Sequence, residues 1–163
     1  MKAEIAPDGS FAGYASLFGE TDQAGDLVMP GAFRRSLARR AAGRVRMLFQ
    51  HDPKEPIGVW TRIAENASGL FVEGRLIEGV GRAETLKTLI TAGAVDGLSI
   101  GFRTVKATRN PADGVRRLWQ IDLWEVSIVT FPMLDAARIG PRAMFSESRL
   151  ARSLGAAIQA LQT

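Results

Sequence analysis

The chain has 163 residues and a formal net charge of +4 at pH 7, and 46% of its residues are hydrophobic while 23% are charged. This length suits one domain with a buried core, and the apolar fraction argues against a disordered chain. The absence of cysteine and the presence of a single histidine exclude disulfide-stapled domains, thiolate metal sites, cysteine nucleophiles and multi-histidine metal centres.

Aromatic spacing, helix formers and turn residues predict the elements in the first half of the chain. In order, these are a strand over 11–18, a polar loop over 19–25, a helix over 32–40 and a strand over 45–50. Phe33 and Leu37 lie four residues apart on one face of the helix, and we expect Gly43 to end it. Pro53 and Pro56 predict a turn after the second strand.

The second half of the chain predicts further strands and two helices. In order, these are a hairpin of 57–63 and 70–76 connected by 66–69, a helix over 82–91 closed by Gly93, a strand over 95–105, a turn over 109–114, a strand over 116–131 and a helix over 146–161. Short strands with a few helices predict a mainly β, α+β fold in which a small closed β-barrel is surrounded by helices. We expect one domain over 1–145 and a C-terminal helical tail over 146–163.

The hydropathy pattern gives no sign of a membrane protein. A run of about 18 apolar residues, as a membrane span requires, does not occur. The first four residues lack the apolar region of a signal peptide. We therefore expect a soluble protein made in the cytosol.

Arginine supplies most of the positive charge and is concentrated in one local cluster. The cluster consists of Arg34, Arg35, Arg39, Arg40, Arg44 and Arg46. Such a cluster suits phosphate or an acidic protein surface, although a solvated basic helix face is the simpler interpretation. No zinc finger, RNP-like aromatic motif or heptad array accompanies it, so nucleic acid is the weaker prediction for a partner.

Ser99 lies in the sequence GLSIG at 97–101, which matches the G-x-S-x-G nucleophile elbow of α/β-hydrolases. That fold needs a histidine after the serine, whereas the single histidine of this chain, His51, precedes it. The elbow is therefore rejected. Strand alternation instead places Leu98 and Ile100 on the core side and Ser99 between two glycines on the other side, where its hydroxyl is uncrowded. An incidental serine beside a strand bulge is the alternative.

His51 follows a predicted strand and precedes the turn predicted at Pro53. A serine hydroxyl is a weak nucleophile at neutral pH, so a catalytic Ser99 needs a general base within hydrogen-bond reach. If that base is a histidine, His51 is the one available. A surface or structural role for a lone histidine is the alternative.

Glu125 is the candidate acid of such a triad. We expect it to share a strand face with Ile121 and Leu123, and a carboxylate in that apolar setting needs a partner such as an imidazole N–H. A salt bridge to an arginine is the alternative, and Asp122 is a rival acid on the other face. Further acids that stay formally open, by proximity or by the residue order of other serine-protease folds, are Asp22, Asp26, Asp52, Glu73, Glu78 and Asp96.

Six short blocks occur in the order found in a known family. They are FAGYA at 11–15, GD at 25–26 with PGAF at 30–33, QHD at 50–52 with PIG at 56–58, GL at 69–70, GLSIGF at 97–102, and EVSIV at 125–129 with Pro132. Single blocks are weak signals, but six in order are specific. The sequence therefore resembles the prohead (capsid maturation) proteases of Hong Kong 97-type tailed phages, a family related to the herpesvirus assemblins.

The resemblance implies a herpesvirus-protease-like β-barrel surrounded by helices, and a serine endopeptidase that needs neither metal nor cofactor. The family's serine and histidine fall on Ser99 and His51, and its third member falls on Glu125. Assemblins use a second histidine at the third position, which this chain lacks. The residues MLDA at 133–136 depart from the family pattern in a loop that helps shape the oxyanion site, so its donors stay unassigned.

The resemblance also implies partners and a location. Family members cleave the scaffolding segment of the major capsid protein, and commonly themselves, inside the immature capsid in the bacterial cytoplasm. A phage, a prophage and a gene transfer agent remain open as the origin. We expect the helix over 146–161 to dock on scaffold or capsid protein, with packing on its own barrel or at a homodimer interface as the alternative.

Two other functions stay open. The chain could be a catalytically inactive homologue that serves as an internal scaffold or assembly protein, although the intact His51, Ser99 and Glu125 argue against this. It could also be a basic nucleic-acid-binding module that uses the arginine cluster.

Overall fold

A computed structural model describes residues 2–144 and 157–161 of the chain. Its strands and helices follow in this order: β1 (Ser10–Leu17), β2 (Asp26–Val28), α1 (Arg34–Arg39), β3 (Arg46–Phe49), β4 (Asp52–Glu65), β5 (Gly69–Leu76), α2 (Gly81–Ala92), β6 (Gly97–Arg109) and β7 (Arg116–Val129). A short 3₁₀ turn over Ala42–Arg44 links α1 to β3.

The described strands form one seven-stranded sheet. Its order is β1-β5-β4-β3-β7-β2, and β6 also pairs with β7. The strand β7 organises the sheet, because it pairs in parallel with β2 and β3 and antiparallel with β6. β3 and the first residues of β6 therefore lie beside the same stretch of β7, residues 125–129.

The curled sheet is closed by the segment 137–140, which runs between β1 and β6. One bridge joins Gly97 of β6 to Arg138, and another joins Gly13 of β1 to Ile139. A Cβ atom on Gly13 would lie 3.0 Å from the Ile139 Cα, so the close approach requires glycine. The predicted small β-barrel with surrounding helices is confirmed.

Aromatic and branched side chains from the sheet and both helices fill the interior. The largest fully buried side chains are Trp60, Phe11, Phe33, Met47, Ile57, Leu70, Leu86, Ile90, Leu98, Leu118, Ile121 and Leu123. Phe11 and Trp60 pack edge to face with ring centroids 5.5 Å apart. Leu86 and Ile90 bury one face of α2, which ends at Gly93 with φ 79°, as its sequence predicts.

The basic helix is shorter than predicted. It covers Arg34–Arg39, and Gly43 lies within the following 3₁₀ turn instead of ending the helix. Arg40 leaves the helical conformation at φ −128° and ψ 113°. Its guanidinium donates a hydrogen bond to the carbonyl of Leu123 in β7, so a tertiary contact coincides with the end of the helix.

The turn predicted at Pro53 and Pro56 is also wrong, because both prolines lie inside β4. The ladder between β3 and β4 is irregular there, with register shifts on either side of Leu48, so residues without an N–H are tolerated. The chain reverses earlier, at Gln50 and His51.

Two further differences concern short or terminal elements. The sequence prediction lacks β2, which has three residues, too few to show an alternating pattern. The part of the predicted terminal helix over 146–156 lies outside the described residues, whereas residues 157–161 are helical. The division into a domain and a tail stays a prediction. None of the helices among the described residues is long and apolar enough to cross a membrane.

Candidate active site

His51 occupies the second position of a two-residue turn between β3 and β4. Gln50 has φ 54° and His51 has φ 58°, and among the described residues no other non-glycine residue has a positive φ. A turn of this shape normally uses Asn-Gly, and each non-glycine residue in the left-handed region costs on the order of 1 kcal/mol. Backbone strain at this turn therefore coincides with the candidate base.

The end of β7 holds this strained turn in place. The His51 N–H donates to the Ser127 hydroxyl oxygen over 3.0 Å. The Gln50 N–H donates to the Ile128 carbonyl over 3.0 Å, and the Gln50 amide donates to the Thr130 hydroxyl oxygen over 2.7 Å. The backbone at the candidate base is thus fixed to the strand that carries the candidate acid.

A bulge in β7 determines where the candidate acid lies. Gly101 of β6 pairs with Glu125, but the next residue pairs with Leu123, which leaves Trp124 without a partner on β6. The extra residue reverses the alternation, so Glu125 lies on the face opposite to the buried Val126. The expectation that Glu125 shares the core face of Leu123 is therefore wrong, since unbroken alternation does not hold through the bulge.

The Glu125 carboxylate binds two donors. Its Oε1 is hydrogen-bonded to His51 Nδ1, and its Oε2 accepts a hydrogen bond of 2.7 Å from the Ser127 hydroxyl. The Glu125 side chain is only 12% exposed, whereas that of His51 is 41% exposed. A carboxylate at this depth requires such donors, because burying it unpaired is costly.

Gly101 makes room for this carboxylate. A Cβ atom at position 101 would lie 2.6 Å from Glu125 Cδ and 2.8 Å from Cγ. Real side chains do not approach so closely, so any larger residue would displace Glu125. The second glycine of the GLSIG sequence thus leaves the space that the Glu125 side chain on the neighbouring strand occupies.

The contact between Glu125 and His51 fixes the histidine tautomer. An ionised carboxylate only accepts hydrogen bonds, so the Nδ1 atom of His51 is the donor. In the neutral imidazole the lone pair then lies on Nε2. An imidazole in this form can accept a proton at Nε2 while its positive charge is stabilised by Glu125.

Ser99 and His51 line one cavity of about 240 Å³. Ser99 is only 7% exposed and pairs across the ladder with Ser127, which itself contacts both other candidates. Within residues 2–144 and 157–161 no group is hydrogen-bonded to the Ser99 hydroxyl. The hydroxyl is therefore available to a substrate and to the base on the same cavity.

The cavity has apolar walls and an acidic side. The apolar lining includes Ala15, Leu17, Val28, Leu98, Ile100, Phe102, Leu118, Met133 and Leu134. Glu20, Asp22 and Asp26 line it as well. Asp26 is bound to the Arg116 guanidinium at 2.6 and 2.7 Å, and this contact raises the pKa of Arg116 above its usual value. A bound peptide with both apolar and polar side chains fits such a cavity.

The rival acids do not lie at His51 Nδ1. Asp122 accepts a hydrogen bond of 2.8 Å from the Trp124 indole and lies 3.4 Å from the Arg40 guanidinium. The indole hydrogen bond, and then the charges of Arg40 and two further arginines, lower the pKa of Asp122. Asp96 lies 2.6 Å from Arg138. Asp22, Asp26 and Asp52 hold local backbone or arginine contacts instead.

Ser127 is the residue that sequence reasoning missed. It donates to Glu125 and accepts from the His51 backbone, and it is fully buried. Its position two residues after Glu125, on the same strand face, is the signal that could have identified it. In the described part of the chain, no group of three or more histidine, aspartate or glutamate side chains could hold a metal ion.

The chain is similar to one protein family and to two phage proteins over most of its length. The family of caudovirus prohead serine proteases matches residues 1–150. The prohead protease of Enterobacteria phage HK97 is 40% identical over 134 residues, which are 80% of this chain and 59% of that protein. The prohead protease of Escherichia phage T5 is 31% identical over 112 residues, which are 68% of this chain and 52% of that protein. The chain thus spans little more than half of either relative.

Two solved structures share the fold at low sequence identity. The bacteriophage T4 capsid assembly protease, gp21, superposes with a TM-score of 0.64 at 15% identity and covers 81% of this chain and 90% of its own. The KSHV protease in complex with a hexapeptide phosphonate inhibitor gives a TM-score of 0.60 at 14% identity, covering 86% of this chain and 68% of its own. At these identities the likeness concerns the fold.

Proposed function

Because the chain belongs to the caudovirus prohead serine protease family, we propose that it is a serine endopeptidase that acts in the maturation of a phage or phage-like head. The observation that carries the proposal is the pairing of His51 with Glu125, together with the cavity that His51 and Ser99 both line. A nucleophile, a base and an orienting acid are the parts that such chemistry requires.

The proposed reaction uses these three residues in two steps. The Ser99 oxygen attacks the peptide carbonyl carbon while His51 Nε2 removes the hydroxyl proton. The C–N bond then breaks, His51 returns the proton to the leaving amine, and an ester with Ser99 remains. A water molecule, deprotonated by His51, attacks the ester carbonyl. The bond to the Ser99 oxygen breaks, His51 returns the proton to that oxygen, and the acid product leaves. Glu125 holds the imidazole through Nδ1 and stabilises its protonated form in both steps.

The proposed substrate is the precursor of the major capsid protein, cleaved at its scaffolding segment, and the protease itself is a second substrate. Two observations support this choice: the curated relatives are prohead proteases, and the T4 protein of the same fold is a capsid assembly protease. The proposed place of action is the inside of the immature capsid in the bacterial cytoplasm. A homodimer is a further proposed state of the enzyme.

The second candidate function is an inactive internal scaffold or assembly protein of the same fold. The hydrogen bonds that join His51, Glu125 and Ser127 argue against it, because a scaffold has no need of a strained turn held beside the cavity that Ser99 lines.

A labelling experiment separates the two functions. We expect a fluorophosphonate to label the wild-type protein and Ser68→Ala, whose loop serine lies outside the cavity. We expect it to leave Ser99→Ala unlabelled. The same three proteins are then incubated with the cognate capsid precursor, and only Ser99→Ala should leave it uncut. Labelling or processing that persists in a folded Ser99→Ala would overturn the proposal.

A further inference from the structure

A basic groove lies on the protein surface near the candidate site. Its lining consists of Arg39, Arg40, Arg44, Arg46 and Trp124. An adjoining hollow shares two of these arginines and adds Ser36, Arg103 and Asp122. We call the two together the arginine groove. It gathers residues from α1, the 3₁₀ turn, β3, β6 and β7, so the fold itself assembles it.

The groove carries more positive charge than its own carboxylate can neutralise. Five arginines line it, and Asp122 is its one carboxylate among the described residues. Asp122 lies 3.4 Å from Arg40 and 4.0 Å from Arg103. Within the described parts of the chain, Arg44 and Arg46 form neither an ion pair nor a side-chain hydrogen bond. Their guanidinium groups are free to bind carboxylates in the bidentate manner that arginine favours.

Trp124 gives the groove an apolar element. Its side chain is 55% exposed, and its indole N–H donates to Asp122 over 2.8 Å. This hydrogen bond fixes the ring beside the arginines with much of its surface uncovered. A fixed aromatic surface next to arginines suits the aliphatic part of a peptide whose acidic groups bind the guanidinium groups.

The groove lies within reach of the candidate active site. Arg46 begins β3, and His51 follows the end of the same strand. Five residues of extended chain span roughly 16 Å, and the turn at Gln50 and His51 makes the actual separation shorter. Arg46 is also the register partner of Glu125. One extended polypeptide of about six residues could therefore occupy both the groove and the cavity at Ser99.

We propose that the arginine groove is an exosite that binds an acidic segment of the polypeptide substrate while the scissile bond lies at Ser99. The inference rests on the proposed function, because it assigns to the groove a part of the chain that the active site cleaves. A protein segment is favoured over nucleic acid because a single substrate chain can contact both places. The groove would then raise affinity for acidic precursors without taking part in the chemistry.

The test compares two fluorogenic peptides that share one cleavage sequence. One peptide contains only the cleavage sequence. The other carries six additional glutamates, placed before the cleavage sequence in one version and after it in a second. For the wild-type protein we expect a KM about tenfold lower with the added glutamates, as two or three arginine–carboxylate pairs provide, and an unchanged kcat. We expect Arg39→Gln/Arg44→Gln to abolish the difference. The matched control, Arg34→Gln/Arg35→Gln, removes the same charge from α1 outside the groove and should retain it.

A binding measurement makes the exosite testable apart from catalysis. Fluorescein-labelled hexaglutamate should bind Ser99→Ala at low salt, and Arg39→Gln/Arg44→Gln in that background should bind at least tenfold more weakly. Fluorophosphonate labelling reports the active site independently in both arginine variants and should not change. Equal KM values for the two peptides together with absent hexaglutamate binding would overturn the exosite. Binding of a short DNA duplex, but not of hexaglutamate, would assign the groove to nucleic acid instead.

Discussion

Glu125 and Asp122 lie on β7 on either side of one bulge. Each contacts a serine hydroxyl that accepts a backbone N–H, but the two carboxylates bind different further partners. Glu125 accepts from Ser127, whose oxygen accepts the His51 N–H. Asp122 contacts the Ser36 hydroxyl at 3.5 Å, and the Ser36 oxygen accepts the Leu123 N–H at 2.9 Å. The two carboxylates differ in their further partners, since Glu125 binds the His51 imidazole whereas Asp122 binds arginines and the Trp124 indole.

The neighbours of a carboxylate thus decide its role more than its place on a strand does. An acid bound to an imidazole can support proton transfer, because the imidazole can accept a proton at Nε2 and release it again during the reaction. An acid bound to guanidinium groups faces partners that stay charged at all relevant pH values. We therefore expect Glu125 to control activity and Asp122 to control local structure.

The largest expected effect comes from replacing the two acids by their amides. Glu125→Gln should lower kcat by about 10³–10⁴-fold, because the amide no longer fixes the tautomer or stabilises the imidazolium. Asp122→Asn should leave kcat within about twofold, because Asp122 contacts arginines and an indole and not His51. Peptide cleavage measured under saturating substrate tests both. Similar losses of kcat in the two variants would contradict the assignment of the acid.

Gly101→Ala, on the neighbouring strand β6, should disturb the contact between Glu125 and His51. The added methyl group would collide with the Glu125 side chain, which is flexible enough to turn away, so the fold should survive. A displacement of about 1 Å in a catalytic group can cost about 100-fold in rate, and we expect a loss of that size. Gly43→Ala is the matched control, since a methyl group at position 43 would have no atom within 4 Å. A fully active Gly101→Ala would show that the Glu125 position is not needed.

Replacing Ser127 or Ser36 by alanine should have a smaller effect, and only one of the two substitutions should lower kcat. Ser127→Ala and Ser36→Ala each remove one hydroxyl that contacts a carboxylate and accepts a backbone N–H. Each should lower the free energy of unfolding by about 1 kcal/mol. Ser127→Ala alone should also lower kcat about tenfold at unchanged KM, because it loosens both Glu125 and the turn at His51. Equal kcat values in the two variants would reduce Ser127 to a structural role.

Much of the fold follows from sequence because its signals are local. The turn residues at 66–69 between two apolar runs predict the hairpin of β4 and β5, and Gly93 predicts the end of α2. Block order and residue type also single out His51 and Ser99, which the structure places on one cavity. These features depend on periodicity or on motifs that a linear chain displays.

The rest depends on contacts between distant segments. The bulge at Trp124 arises from pairing with β6, so strand parity alone puts Glu125 on the wrong face. The strained turn at Gln50 is held by hydrogen bonds to the end of β7, and no turn motif marks it. Ser127 acquires its role only when β3 and β7 lie side by side. Each miss is a tertiary contact that overrides a local preference.

The smallest expected effect is a pH dependence that belongs to Asp122. The Trp124 hydrogen bond and then the nearby arginine charges lower its pKa below the ordinary value of 3.8. A lowered pKa in the folded state means that the ionised carboxylate stabilises the fold above about pH 4, and that this contribution is lost as the pH falls through the folded-state pKa. The wild-type protein should therefore exceed Asp122→Asn in free energy of unfolding by about 0.5–1 kcal/mol near pH 6.

Denaturant unfolding of both proteins between pH 6 and pH 2 measures this difference. The gap should shrink as the pH falls below 3.8, while both variants retain the same kcat at pH 7. Added salt should also narrow the gap at pH 6, since part of the contribution comes from exposed arginines. A gap that stays constant over the whole pH range would mean that the charge of Asp122 contributes nothing. In that event the carboxylate on this side of the bulge would act through shape and hydrogen bonding alone, and the contrast with Glu125 would be one of geometry rather than of charge.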